Sequence, residues 1–187
     1  ALIVDPGNSN QLENETLQKF IAEKELHITR LLLTHAHIDH VLGNRFVFDT
    51  YGLLPEVHQN DLFFIERMPQ SAAMYGVPCD PSPTPKRFLQ EGEVITLGQY
   101  SFECLFTPGH SPGSISFYNA QNKVLISGDV LFQGSIGRSD LPMGDHDTLI
   151  ASIKNKLLVL DDDVNVYSGH GPSTTIGYER LHNPFLT

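Results

Sequence analysis

Apolar positions in the first half of the chain form short runs that alternate with stretches of helical spacing. Continuous apolar runs indicate buried strands, and apolar residues three and four apart indicate amphipathic helices. The predicted elements, in chain order, are a strand over Ala1–Val4, a helix over residues 10–26 with Asn10 as its N-cap, a strand over Ile28–Leu33, a strand near Glu56–His58, a helix over Leu62–Met68 and a proline-rich loop over residues 76–87. This half is therefore predicted to consist of βα units.

The second half of the chain changes to short strands joined by tight turns. Its predicted elements are strands over Val94–Leu97, Tyr100–Phe106, Ser114–Asn119 and Lys123–Ser127, a glycine-rich loop over Gln133–Gly144, a helix over Asp147–Leu158 with Asp145 as its cap, and a strand over Val164–Tyr167. A βα half followed by a β-meander, a helix and a strand indicates an α/β protein. Two sheets with helices on the outside would explain this order.

Charge and composition exclude several classes of partner. Asp and Glu number 22 against 12 Lys and Arg, a formal net charge of −10, which repels phosphate backbones and predicts no nucleic-acid partner. No run of 18 apolar residues exists, so no membrane partner is expected. The two cysteines, Cys79 and Cys104, are too few for a disulfide framework and favour the cytoplasm.

The apolar segment that starts at Ala1 is typical of the middle of a strand, so further residues are expected before it. The oligomeric state is left open.

A dense histidine string follows the strand over Ile28–Leu33. His35 and His37 lie two apart on an extended segment, so both imidazoles leave the same face. Asp39 and His40 follow where the chain turns toward a helix, which places a carboxylate and a third imidazole at a neighbouring point. Two nitrogen ligands beside an oxygen and a nitrogen ligand form a template for two adjacent divalent ions.

Three further side chains are predicted at strand ends in the second half. His110 follows an apolar strand within a turn of proline and glycine, Asp129 follows Val124–Ile126, and His170 follows the last strand. A carboxylate at Asp129 can bridge two cations, because each of its oxygens can serve one ion. Histidine and aspartate ligands accept zinc, iron or manganese. The sequence therefore predicts a site with two divalent metal ions.

The order of these motifs resembles the metallo-β-lactamase superfamily over essentially the whole chain. The segments that start at Leu131 and at Gly169 are similar to small, single-domain glyoxalase II-like bacterial hydrolases. The resemblance implies an αβ/βα sandwich of two mixed β-sheets with helices on the outer faces, formed by one domain over residues 1–187. It also implies that N-terminal strands precede Ala1 and that the helical glutathione-binding domain of full-length glyoxalase II is missing. True metallo-β-lactamases usually carry Cys or Ser in place of Asp129.

The same resemblance assigns roles to the site residues. It implies that His35, His37 and His110 hold one ion, that Asp39, His40 and His170 hold the other, and that Asp129 bridges them, with zinc the expected metal. The implied activity is a glyoxalase II-like thioesterase that cleaves S-lactoylglutathione, or a related anionic acyl thioester, by a metal-bridging hydroxide. Asp39 and Asp129 are the expected catalytic residues. Arg138 either binds the glutathione carboxylate, as a basic residue does in glyoxalase II, or pairs with Asp140 to fix its loop.

Three alternatives stay open at this point. Persulfide dioxygenases share the ligand string and a Gly-Arg-x-Asp loop, and they use a single iron. Lactone hydrolysis is compatible with the same metals. A metal-binding module without turnover is the alternative from another class, and metal bound without any esterase or thioesterase activity would support it.

Overall fold

The structure is a computed structural model that describes residues 1–187. The chain divides into two compact units, Ala1–Phe88 and Leu89–Thr187, and each is described by itself. The prediction of one domain over the whole chain stays a prediction. None of the helices is long and apolar enough to cross a membrane.

The first unit contains a four-stranded sheet with helices connecting its strands. The strands, in sheet order, are β1 (Leu2–Val4), β2 (Arg30–Leu32), β3 (Pro55–Val57) and β4 (Arg87–Phe88). The helices are α1 (Gln11–Glu23), α2 (Ile38–Val41), α3 (Asn44–Tyr51), α4 (Leu62–Glu66) and α5 (Met68–Tyr75). Every neighbouring pair of strands is parallel. This sheet was expected to be mixed, and in that detail the prediction is wrong.

The core of the first unit fixes where the histidine string begins. Leu31, Leu32 and Leu33, in and directly after β2, are at most 1% exposed. Strands of parallel sheets are covered on both faces, which explains why this run is apolar without alternation. Burying such a side chain stabilises the fold by roughly 1.5–3 kcal/mol. The carboxyl end of β2, and the loop that starts there, are therefore held firmly.

The second unit contains a six-stranded mixed sheet and a separate hairpin. The strands are β5 (Val94–Leu97), β6 (Tyr100–Phe106), β7 (Ile115–Asn119), β8 (Val124–Gly128), β11 (Asn165–Ser168) and β12 (Thr174–Thr175), in the sheet order β12-β11-β8-β7-β6-β5. The hairpin pairs β9 (Leu131–Phe132) with β10 (Ser135–Ile136). Helices α6 (His146–Ser152) and α7 (Ile176–His182) complete the unit, and a π-helical turn over Ile153–Leu157 follows α6.

The directions of three strands in the second unit bring their carboxyl ends to one edge. Strands β6 and β8 are both antiparallel to β7, so they run in the same direction. Strand β11 is parallel to β8 and shares that direction. Leu125 and Val166 on these strands pack with Leu149 and Ile153 into a fully buried cluster. Residues that follow β6, β8 and β11 are therefore presented along the same side of a rigid sheet.

The sequence predicted most elements, with boundary errors of a few residues. Asn10 and Asp145 are N-caps, and their side chains accept the backbone N–H groups of Glu13 and Thr148. The helix predicted to run to Leu158 is α-helical only to Ser152, where the π-helical turn begins. The sequence prediction lacks the helices α3, α5 and α7, the strands β4 and β12, and the hairpin of β9 and β10. All of these elements are short, with at most eight residues each.

Candidate metal centre

The histidine string lies in the loop at the carboxyl end of β2. His35 is buried, 1% exposed, and its ligand nitrogen lies within 4.8 Å of that of His37. The two rings meet edge to face, with centroids 4.8 Å apart. The backbone N–H of Ala36, between them, donates to the buried Asp61 carboxylate at 2.8 Å. The anchored backbone thus holds two imidazoles as neighbours.

Asp39 and His40 lie in the first turn of the short helix α2, which has His37 at its N-cap. His40 Nε2 and Asp39 Oδ2 are 3.7 Å apart. This distance is long for a hydrogen bond. In a tetrahedral shell with metal–ligand bonds of about 2.1 Å, neighbouring ligand atoms lie about 3.4 Å apart. The pair is therefore spaced as two ligands of one ion.

Asp5, which the sequence prediction did not include, orients His40. Its Oδ2 lies 3.1 Å from His40 Nδ1, and it also accepts the hydroxyl of Thr34 at 2.5 Å. Its Oδ1 accepts the backbone N–H of Thr34 at 2.7 Å. A carboxylate only accepts, so Nδ1 carries the proton and Nε2 is left as the ligand atom. Asp5, His35 and His40 do group closely enough to be metal ligands. We interpret Asp5 as the orienting group, because Thr34 engages both of its oxygens.

A signal for Asp5 exists in the sequence. Asp5 directly follows β1, in an Asp-Pro-Gly turn, and β1 is the parallel neighbour of β2. Parallel neighbours end at the same edge of a sheet, so a carboxylate after one strand lies near a histidine loop after the other. The sequence prediction includes this segment only as a turn and assigns no role to its carboxylate.

The second unit brings together His110, Asp129 and His170. His110 Nε2 lies 3.7 Å and His170 Nε2 lies 3.5 Å from the same oxygen, Asp129 Oδ2. Both distances again fit ligand atoms around an ion better than hydrogen bonds. The three residues follow β6, β8 and β11, the strands whose carboxyl ends share one edge. Asp129 Oδ2 thus faces two imidazole nitrogens, and the bridging role of Asp129 stays a prediction.

A backbone carbonyl orients His110. His110 Nδ1 lies 2.7 Å from the carbonyl oxygen of Arg138, so Nδ1 donates and Nε2 is the ligand atom. Gly137, one residue earlier, packs against the carbonyl of Asp129, and a side chain there would collide with it. That Cβ would also lie 3.2 Å from Cβ of His110. The close approach needs glycine, and it fixes the backbone of this loop beside two predicted ligands.

The donor set suits divalent transition metals. All predicted ligands are imidazoles or carboxylates, which zinc, iron and manganese accept. His40 and His110, whose Nδ1 atoms contact a carboxylate and a carbonyl, each have Nε2 3.7 Å from a carboxylate oxygen. Cys79 and Cys104 are free thiols and belong to no ligand group. The residues in each unit therefore fit part of a metal centre.

Arg138 pairs with Asp140 on the surface of the second unit. Arg138 Nε donates to Asp140 Oδ1 at 3.0 Å, and a terminal nitrogen donates to Oδ2 at 3.1 Å. These hydrogen bonds hold the pKa of Asp140 below its ordinary value. Both side chains are about two-thirds exposed, so the guanidinium stays accessible. The Arg138–Asp140 pair is present in the structure, and substrate binding by Arg138 stays a prediction.

Comparison with known proteins adds the family context. A family model described as the metallo-beta-lactamase superfamily matches residues 1–170. The hydroxyacylglutathione hydrolase GloC of Haemophilus influenzae is 45% identical over 100% of this chain and 87% of its own length.

Two solved structures share the fold of this chain. The B3 metallo-beta-lactamase BLEG-1 has a TM-score of 0.90 at 42% identity, covering 100% of this chain and 88% of its own. TTHA1623, solved in a di-iron-bound form, has a TM-score of 0.88 at 40% identity, covering 98% and 88%. The predicted α/β fold class is confirmed.

Proposed function

The chain belongs to the metallo-beta-lactamase superfamily, and we propose that it is a binuclear metal-dependent thioesterase acting on small anionic acyl thioesters. The observation that carries the proposal is the paired carboxylate–imidazole geometry in each unit, with Nε2 3.5–3.7 Å from a carboxylate oxygen. The similarity to a protein named hydroxyacylglutathione hydrolase directs the substrate choice to glutathione conjugates such as S-lactoylglutathione.

We propose the ligand sets that the resemblance to the superfamily implies. His35, His37 and His110 would hold the first ion, Asp39, His40 and His170 would hold the second, and Asp129 would bridge them. Zinc is the proposed metal. Iron is its main competitor, since a relative of 40% identity is described in a di-iron-bound form.

Different residues of the chain have different roles in the proposed hydrolysis. When bound, two divalent cations supply a hydroxide near neutral pH and polarise the thioester carbonyl. Asp39, whose side chain is half exposed, would orient the attacking oxygen, and Asp129 would share its negative charge with both cations. Asp5 and the Arg138 carbonyl keep His40 and His110 in the ligand tautomer. The leaving thiolate, with a solution pKa of about 8.5 for a simple thiol, needs no strong general acid.

Substrate binding is assigned to Arg138. Its guanidinium presents a planar fork that matches a carboxylate, and it is already paired with one in Asp140. A glutathione carboxylate can take the place of Asp140 in the same geometry. We propose the cytoplasm as the compartment, where the two free thiols would stay reduced.

The test is the rate at which freshly purified protein hydrolyses S-D-lactoylglutathione, measured before chelator treatment, after it, and after metal is restored. Rapid hydrolysis that is lost with the chelator and recovered with metal is the expected result. A neutral acyl thioester of similar size is the control for recognition of the anionic carrier. Absence of hydrolysis by protein with both metals bound would contradict the assignment.

A second substrate class has a specific observation in its favour. BLEG-1, a B3 metallo-beta-lactamase, is 42% identical over the whole of this chain and 88% of its own. A chromogenic cephalosporin added to the same metal-loaded protein tests β-lactam hydrolysis directly. Hydrolysis of the cephalosporin without thioester loss would transfer the assignment to β-lactams. Oxygen uptake with glutathione persulfide, or lactone opening, would support the other enzyme alternatives.

A further inference from the structure

A buried carboxylate lies in the second unit outside the predicted ligand set. Glu179 in α7 is 0% exposed. Its Oε1 accepts the hydroxyl of Thr174 at 2.6 Å, and its Oε2 accepts Gly134 N–H at 2.9 Å and Asn183 Nδ2 at 2.7 Å. All three donors are neutral. Removing a carboxylate from water is costly, and the three hydrogen bonds offset that cost. One of these hydrogen bonds, from Gly134 N–H, joins Glu179 to the turn between β9 and β10.

A second contact joins the same helix to the same turn. Asn183, directly after α7, is 0% exposed, and its Nδ2 donates to the Ser135 carbonyl at 2.9 Å. The hairpin of β9 and β10 therefore has a turn N–H bound by Glu179 and a neighbouring C=O bound by Asn183. Each strand of this hairpin has only two residues, and short isolated hairpins are marginally stable. The two side chains supply fixed anchors that the hairpin lacks by itself.

The hairpin lies between two parts of the predicted metal centre. Asp129 comes just before β9, and Gly137 and Arg138 come just after β10. Gly137 N–H donates to the Val130 carbonyl at 3.2 Å, which closes the base of the hairpin. The next carbonyl, that of Arg138, accepts the proton of His110 Nδ1. Displacement of the hairpin would therefore move the group that orients His110.

We propose that Glu179 and Asn183 are positioning residues that place the hairpin and, through it, the Arg138 carbonyl and the His110 ring. They contact neither metal nor substrate. Their effect is to keep Nε2 of His110 directed to its ligand position and the Arg138 side chain at a fixed place on the surface. The effect on substrate rests on the proposed thioesterase function, whereas the effect on the hairpin and on metal binding does not.

The experiment compares four variants. Glu179→Ala and Asn183→Ala each remove anchors of the hairpin. Thr174→Val is the matched control, because it removes a hydrogen bond from the same carboxylate without touching the hairpin. Glu179→Gln is the conservative variant: its amide oxygen can accept at the Oε2 position while its NH2 donates to the Thr174 hydroxyl. Asn183→Ala carries the test alone if Glu179→Ala does not fold.

The first readout is backbone hydrogen exchange over residues 131–138, with thermal unfolding measured in parallel. We expect exchange in this segment to be about 10-fold faster or more in both alanine variants, the size expected when buried hydrogen bonds to a charged group are lost. The Thr174→Val and Glu179→Gln variants should match the parent protein in this segment. Equal exchange in Thr174→Val and the alanine variants would overturn the proposal.

The second readout is metal affinity by competition with a chelator, followed by KM and kcat for the thioester. We expect the alanine variants to bind metal about 10–100-fold more weakly, as for the loss of other groups that orient metal ligands. KM for the anionic thioester should rise as well. Unchanged metal affinity in both alanine variants would also overturn the proposal. Absence of thioesterase activity in the parent protein would sink the proposed function and leave the exchange and metal measurements intact.

Discussion

The two units contribute to the proposed metal centre in different ways. In the first unit, His35, His37, Asp39 and His40 follow one another in a single loop after β2. In the second unit, His110, Asp129 and His170 come from three strand ends that the sheet topology aligns. The first set depends on local backbone conformation. The second depends on strand pairing between distant segments, so it is more sensitive to displacement of a loop or strand.

The two units also differ in the kind of group that orients a histidine ligand. His40 is oriented by a side chain, the Asp5 carboxylate, whereas His110 is oriented by a main-chain carbonyl in a loop. A substitution can remove the first acceptor directly. The second can be disturbed only by moving the backbone that carries it. Substitution of the orienting side chain should therefore disturb the ligands of the first unit. In the second unit, the ligands should be disturbed by substitution of residues that anchor the loop, such as Glu179 and Asn183.

The largest expected effect comes from Asp129, the proposed bridge. Asp129→Asn keeps the size of the side chain and removes the charge that two cations share. We expect kcat/KM for the thioester to fall by more than about 100-fold, above the range for loss of outer groups that orient ligands. Elemental analysis should show less than the full metal content. Asp161→Asn, at an exposed carboxylate, is the control. Full metal content in Asp129→Asn would argue against a bridging role.

Asp5→Asn should have the next largest effect. The new amide can still accept Thr34 N–H through Oδ1, but its NH2 then faces His40 Nδ1 and favours the wrong tautomer. We expect metal affinity or activity to fall by about 10–100-fold, with the melting temperature changed far less. Chelator competition measures the metal affinity, and the thioesterase assay measures the activity. If Asp5→Asn behaves like Asp161→Asn, the orienting role of Asp5 is wrong.

The Arg138–Asp140 pair gives a smaller effect that separates its two interpretations. If Arg138 binds a substrate carboxylate, Arg138→Ala should raise KM about 10-fold for an anionic thioester and leave a neutral one unchanged. Asp140→Asn frees the guanidinium, so KM for the anionic thioester should fall. If the pair serves only to fix the loop, both substitutions should change the kinetics in the same direction. Steady-state kinetics on the two thioesters distinguish these outcomes.

The smallest expected effect is a pH dependence in the first unit. Burial lowers the pKa of His58, whose Nδ1 accepts the N–H of Asn60 at 3.2 Å. The unfolded chain therefore takes up a proton at higher pH than the folded chain does, and stability falls as pH drops below about 6.5. His58→Asn can keep the cap hydrogen bond without titrating. Its free energy of unfolding should therefore fall less between pH 7 and pH 5 than that of the parent protein, and the difference between the two losses should be less than about 1 kcal/mol. Thermal unfolding at both pH values tests this. A parallel loss in both proteins would contradict it.

Local pattern was enough to predict the residues expected to carry the chemistry and most of the elements that present them. The apolar run of β2, the caps Asn10 and Asp145, and the turns at His110, Asp129 and His170 are all visible over a few residues. These signals are local because side-chain periodicity and cap hydrogen bonds act within one or two turns of chain.

The tertiary structure decided which groups hold these residues in place. Asp5 contacts His40 across 35 positions of sequence, and Glu179 contacts Gly134 across 45. Neither contact can be predicted from apolar periodicity or from the spacing of residues in the sequence. Each depends on which strands pair and which helix packs nearby. The parallel order of β1 and β2 places the first contact, and the packing of α7 places the second. A short helix such as α7 is stabilised by its tertiary packing more than by its own sequence, which is why it was missed.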